Sequence, residues 1–193
     1  MPYLERVLCM NTQIQVLPSN LASDCPILDA LVFNQSTIHT IESQALVNLP
    51  QLGSMDDSAT EIVSMQDLSD NVISVIDKNA FENVDGLEEL KLGQNSIHRL
   101  TLSSVPTQLT HLELQENLMD LMPDFPEGFL ASQLVHLNMS RNYLWSIATN
   151  DALSLYTGLV TLDFSSNRLV KFSSALFDPI MSTIEAIKLL TNV

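Results

Sequence analysis

Residues 87–97 read LEELKLGQNSI, and the same spacing returns three times without a gap: LTHLELQENLM at 109–119, LVHLNMSRNYL at 134–144 and LVTLDFSSNRL at 159–169. Repeat positions 1, 4, 6 and 11 are apolar in every copy, and position 9 is asparagine: Asn95, Asn117, Asn142 and Asn167. Looser copies extend the series. Leu4, Val7, Cys9, Ile14 and Leu17 fit one, with Thr12 at position 9; Leu28, Leu31, Phe33, Ile38 and Ile41 fit another, with Ser36 there. Val63, Leu68, Asn71, Ile73 and Ile76 make a third, and Ile184, Ile187, Leu189 and Asn192 open a last one that stops at Val193. Unit starts at 4, 28, 52, 63, 87, 109, 134, 159 and 184 give spacings of 24, 24, 11, 24, 22, 25, 25 and 25.

A period of 20 to 50 residues is the signature of a solenoid, in which each unit buries its apolar face only by stacking on its neighbours. Positions 3 to 7 alternate, so positions 4 and 6 face a core while 3, 5 and 7 face outward, as a strand requires. After the strand the chain turns, and its backbone groups need partners outside one coil. An asparagine amide has two donors and one acceptor to supply them, whereas Ser36 and Thr12 offer only a hydroxyl. Asn71, Asn95, Asn117, Asn142, Asn167 and Asn192 are therefore expected to form a structural ladder, weaker in the first coils.

This LxxLxLxxNxL pattern resembles the leucine-rich repeat family. Ala45 and Leu46 with Leu49 and Leu52, and Ala80 and Phe81 with Val84 and Leu87, resemble its typical AFxxLxxL returning segment. The resemblance implies a single domain over 1–193: an α/β solenoid, arc-shaped, with a parallel sheet on the concave face and irregular or short helical returns. Pro123 and Pro126 argue against a long helix in their return. The subclass it resembles is that of Toll-like ectodomains and secreted insect immune proteins. That likeness implies a non-enzymatic recognition module, extracellular and receptor- or immune-related, with a protein partner.

The spacing of 11 at 52–63 is half a unit, and it sets Asp57 in an inward slot, where a lone charge is costly. Two readings fit, a local irregularity or an absent half-repeat, and the regularity elsewhere favours the second. Cys9 and Cys25 both fall in inward positions. They are buried thiols, a partnerless remnant of the family's N-terminal cap, or a disulfide with each other. The ends, which resemble an incomplete cap and a half-finished unit, lead to the expectation of a fragment of a longer solenoid.

Composition narrows the function. Of 193 residues 46% are apolar and 23 are acidic against 8 lysines and arginines, a formal charge of −15. Nucleic-acid backbone is excluded as a partner, since each phosphate contact asks for a cation. No run nears the roughly 18 apolar residues of a membrane helix. Nothing here resembles a nucleophile elbow, phosphate loop, zinc or calcium motif, so no catalytic residue, metal or cofactor is expected. A homo-oligomer has no support in the pattern. The opening residues lack a basic start and apolar core of an export signal, which leaves a cytoplasmic setting open.

The repeat register does place candidate binding residues. Successive coils offer Glu89, Lys91 and Gln94, then His111, Glu113 and Glu116, then His136, Asn138 and Arg141, then Thr161, Asp163 and Ser166, to one polar face. His111 and His136 share a position one coil apart, within reach of each other at a strand spacing of about 4.8 Å. Leu118, Tyr143, Trp145 and Val170 are expected to form an apolar flank patch. Asn34 and Asn138 open N-glycosylation triplets, which add weight to secretion. Two alternatives to an extracellular module remain: an intracellular scaffold that regulates an enzyme, and a truncated product with no independent function.

Overall fold

The computed structural model describes residues 6–21, 25, 28, 30–46, 65–84, 86–103, 106–125, 133–147, 153–170 and 174–190. In chain order the strands are β1 (Arg6–Leu8), β2 (Val16–Leu17), β3 (Ala30–Val32), β4 (Thr40–Ile41), β5 (Met65–Asp67), β6 (Val75–Ile76), β7 (Glu89–Lys91), β8 (His111–Glu113), β9 (His136–Asn138), β10 (Thr161–Asp163) and β11 (Ala186–Lys188). Eight of them form one parallel sheet in the order β1-β3-β5-β7-β8-β9-β10-β11. Each is a three-residue strand at repeat positions 3 to 5, and the register never slips: Leu90 pairs with Leu112, Leu112 with Leu137, and Leu137 with Leu162. The parallel sheet, the stacked coils and the scarcity of helix are those expected of the repeat.

Inward positions form the core. Leu90, Leu112, Leu137 and Leu162 at position 4, Leu92, Leu114, Met139 and Phe164 at position 6, and Ile97, Met119, Leu144 and Leu169 at position 11 are all buried. The returning half closes the core from the other side with Ala45, Leu46, Ala80, Phe81, Val84 and Leu87, which are the described members of the expected AFxxLxxL segments. Tyr156 is buried there too, 6.0 Å from Phe125 ring to ring. Burial first, and the charge of Asp124 second, push its phenol well above the ordinary range. The one described helical return is a 3₁₀ segment, Ser174–Ile180, whose Leu176, Phe177 and Ile180 are buried. Near Pro123 the return is extended, with an isolated parallel bridge between Thr101 and Asp124.

A second, three-stranded parallel sheet, β2-β4-β6, runs along the early coils. Sequence reading missed it, although its signal was present as the recurring apolar residues Leu17, Ile41 and Ile76 at one repeat position. Ala30 pairs directly with Met65 and Val32 with Asp67, so β3 and β5 are neighbours in the sheet. The unit expected to open at 52 lies outside the described residues. Asp57 lies outside the described residues, as do Leu49, Leu52 and Pro126.

The asparagine ladder has the expected form. Asn117 Nδ2 donates to the carbonyls of Leu92 at 2.8 Å, Leu114 at 3.1 Å and Gln115 at 3.3 Å, and its Oδ1 accepts from the Ile97 amide at 2.9 Å. Asn71, Asn95, Asn142 and Asn167 repeat this arrangement, each reaching back one coil. In the first coils Ser36 Oγ instead accepts from the amide and hydroxyl of Thr12. Asn192 lies outside the described residues.

One regularity was invisible in the spacing. Position 8, just before the ladder asparagine, has a positive φ in every described coil: Asn11, Gln35, Asp70, Gln94, Glu116, Arg141 and Ser166, between 52° and 56°. This left-handed residue turns the chain out of the strand. Its amide bonds to the next coil, as Glu116 does to the Ser140 carbonyl at 3.0 Å.

Candidate functional site

Because the strands stack in register, side chains at positions 3 and 5 form two parallel rows across the concave face. The first row runs Glu89, His111, His136, Thr161, Ala186; the second runs Lys91, Glu113, Asn138, Asp163, Lys188. The structure therefore brings together the candidates at positions 3 and 5, whereas Glu116, Arg141 and Ser166 at position 8 line a separate hollow toward the flank. At the centre lies a shallow hollow of about 340 Å³ lined by both histidines, Glu113, Asn138, Thr161, Asp163 and Lys188.

The two imidazoles are stacked, with ring centroids 4.2 Å apart and planes inclined by 31°. His111 Nδ1 shares a hydrogen bond with Thr110 Oγ1 at 2.8 Å, and His136 Nδ1 with Thr161 Oγ1 at 2.5 Å. Partial burial, then the neighbouring His111, hold His136 below its ordinary value, and Glu113 only partly offsets this. Among the described residues no group of three or more metal-ligating side chains converges.

The charges of this face are mostly settled internally. Lys91 pairs with Glu89 at 3.2 Å, Lys188 with Asp163 at 3.3 Å, and Arg141 with Glu116 at 2.8 Å. These half-exposed pairs contribute little to stability, about 0–1 kcal/mol each, but they cancel the face's cations. Glu113, half-buried at the middle of the second row, has no basic partner among the described residues. Its Oε2 accepts only from Asn138 Nδ2, at 2.9 Å.

Asn138 is also built into its own coil, where its Oδ1 accepts from the amide and hydroxyl of Ser140 at 3.1 and 2.8 Å. Asp67 with Ser69 and Asp163 with Ser165 make the same turn. The Asn138 triplet is thus a variant of a recurrent Asx turn on the concave face. Asn34 Nδ2 is engaged as well, donating to Asp67 at 3.1 Å. Cys9 is half-buried and Cys25 lies in the core, and no disulfide joins them.

On the flank the expected patch is altered. Trp145 and Val170 are 61% and 77% exposed, but Leu118 is half-buried, and the ring of Tyr143 is covered by the Arg168 guanidinium, 4.2 Å from its centroid. Arg168 holds the same repeat position as Leu118 and Tyr143. The register alone pointed to it, but a search for apolar neighbours passed it over.

Comparison with known proteins agrees with this architecture. Residues 67–119 match the family model described as leucine rich repeat. Transforming growth factor beta activator LRRC33 of Danio rerio is 27% identical over 195 residues, covering 89% of this chain. Toll-like receptor 9 of Mus musculus is 28% identical over 142 residues, covering 72% of it. The chain spans 27% of the first and 13% of the second. Among solved structures, a chain of the Toll–Spatzle complex from Drosophila superposes with a TM-score of 0.72 at 22% identity, over 98% of this chain and 25% of that one. Human 5T4 superposes with a TM-score of 0.64 at 21% identity, over 98% and 70%. With this repeat, these stacked strands and these relatives, the chain resembles leucine-rich repeat proteins, Toll-like ectodomains among them.

Proposed function

We propose that the chain is a non-enzymatic recognition module that binds a protein partner on its concave strand face, in an extracellular setting and as part of a receptor-related or immune protein. The observation that carries the concave assignment is Glu113. It is a carboxylate with no lysine or arginine partner among the described residues, at the centre of a face whose own lysines and arginine are matched to acids. A basic or hydrogen-bond-donating group on a partner supplies the missing charge, and in the half-buried hollow that pairing is screened less than at an open surface. The similar proteins support a binding role: a growth-factor activator, a Toll-like receptor, and a Toll–Spatzle complex.

Capture from extracellular fluid on the immobilised chain, compared with Glu113→Lys, tests the reading. A partner held by the native chain and lost by the variant supports it, and one held equally by both contradicts it. The alternative reading is an intracellular scaffold that regulates an enzyme. Glycan mass on Asn34 or Asn138 in chain isolated from its source decides for export.

A further inference from the structure

We propose that the flank formed by Tyr143, Trp145, Arg168 and Val170 is a second docking surface, shaped for an acidic segment of a partner polypeptide with an apolar residue beside its carboxylate. This rests on the reading of the chain as a protein-recognition module and adds a surface and a partner chemistry to it.

The patch is a two-by-two array made by two coils with the same alternation. Asn142 and Leu144 are buried while Tyr143 and Trp145 are exposed; Asn167 and Leu169 are buried while Arg168 and Val170 are exposed. Residues two apart in an extended chain point the same way, so the four side chains stand on one side of the solenoid. The backbone beneath them is fixed from coil to coil. The Tyr143 amide donates to the Met119 carbonyl at 2.8 Å, the Arg168 amide to Leu144 at 2.8 Å, and the Leu144 amide to Asn167 Oδ1 at 3.0 Å. A surface held this way gives up little conformational freedom on binding.

Its charge points to the partner. In a chain of formal charge −15, the Arg168 guanidinium has no carboxylate among the described residues. The nearby acids are already matched: Glu116 pairs with Arg141 at 2.8 Å, and Asp120 approaches Arg99 at 3.8 Å. Arg168 lies over the Tyr143 ring, which holds its plane without occupying its N–H donors. That is the arrangement for bidentate capture of a carboxylate. Beside it opens a hollow of about 590 Å³ lined by Glu116, Leu118, Arg141, Tyr143, Ser166 and Arg168. Trp145 and Val170 stand two positions further along the same two coils and offer the apolar contact that a binding anchor needs.

Trp145 is the only tryptophan in the chain, so its emission reports this surface alone. The full chain is titrated with a short soluble peptide carrying glutamate beside leucine, with its glutamine counterpart, and with a heparin fragment. The expected result is a saturable emission shift with the glutamate peptide only. Arg168→Gln should raise Kd about tenfold or more, since a charge-assisted pair is lost, and Arg168→Lys should fall between. Glu113→Lys should leave the shift intact, so loss of concave binding and loss of flank binding are read separately. Equal response to the glutamine peptide, unchanged affinity in Arg168→Gln, a shift with heparin but not peptide, or loss of the shift in Glu113→Lys would each overturn the proposal.

Discussion

Asn117 is 2% exposed and makes four backbone hydrogen bonds in a 2.8–3.3 Å range, two of them to the preceding coil. Asn117→Ala leaves the Ile97 amide without a partner, while the Leu92 carbonyl loses one of its two donors and keeps Asn95 Nδ2 at 3.1 Å. An unsatisfied buried group costs about 1–3 kcal/mol and a lost hydrogen bond about 1 kcal/mol, so the loss is roughly 2–4 kcal/mol, or about 5–10 °C in Tm for a chain this size. Ser36→Ala should cost about 1 kcal/mol, because Ser36 serves only Thr12 and Asn34. Thermal unfolding of the two variants checks the ranking, and equal losses would refute the ladder's gradient. Ser166, at φ 55°, makes the opposite test. Ser166→Gly relieves a left-handed residue while keeping the amide bond to the Leu190 carbonyl, and should stabilise by about 0.5–1 kcal/mol, whereas Ser166→Val should destabilise. The ladder was legible because Asn recurs by identity. The left-handed row was not, because position 8 varies from Gln94 to Arg141 and only its backbone conformation is conserved from coil to coil.

Among elements, strands β8 and β9 hold the histidine pair, and their packing gives a pH dependence of definite sign. His136 has a folded pKa below its ordinary 6.5, so the unfolded chain takes up the proton first as pH falls. The stabilising contribution is complete above about pH 6.5 and is lost as pH falls through the lower folded value. His136→Asn should flatten that part of the stability profile, and denaturant midpoints at pH 7.5 and pH 5 measure it. An unaltered slope would mean that other groups set the dependence. The register of β7 to β10 could be read directly from the ungapped repeats. The β2-β4-β6 ribbon was present only as the recurring Leu17, Ile41 and Ile76. An apolar repeat position does not by itself separate a buried coil from a strand, because pairing depends on which segments lie at equal depth in the stack.

For the whole molecule, stacking turns a one-dimensional repeat into two surfaces of different chemistry, an acid-centred concave face and an arginine-bearing flank. The positions of both followed from the register. Their electrostatics did not, because which charges cancel depends on reach between coils, as in Lys188 with Asp163 and Arg141 with Glu116. The central claim is that the concave face recognises a protein partner through Glu113. The most direct measurement is the affinity of a captured partner for three chains: native, Glu113→Lys, and Asp178→Lys, which makes the same charge change at an exposed site on the returning side. The account predicts that Glu113→Lys weakens binding about tenfold or more, as expected for reversing a partly buried charge contact, while Asp178→Lys leaves it within about twofold. Equal affinity for all three chains, or an equal loss in the two variants, would contradict it.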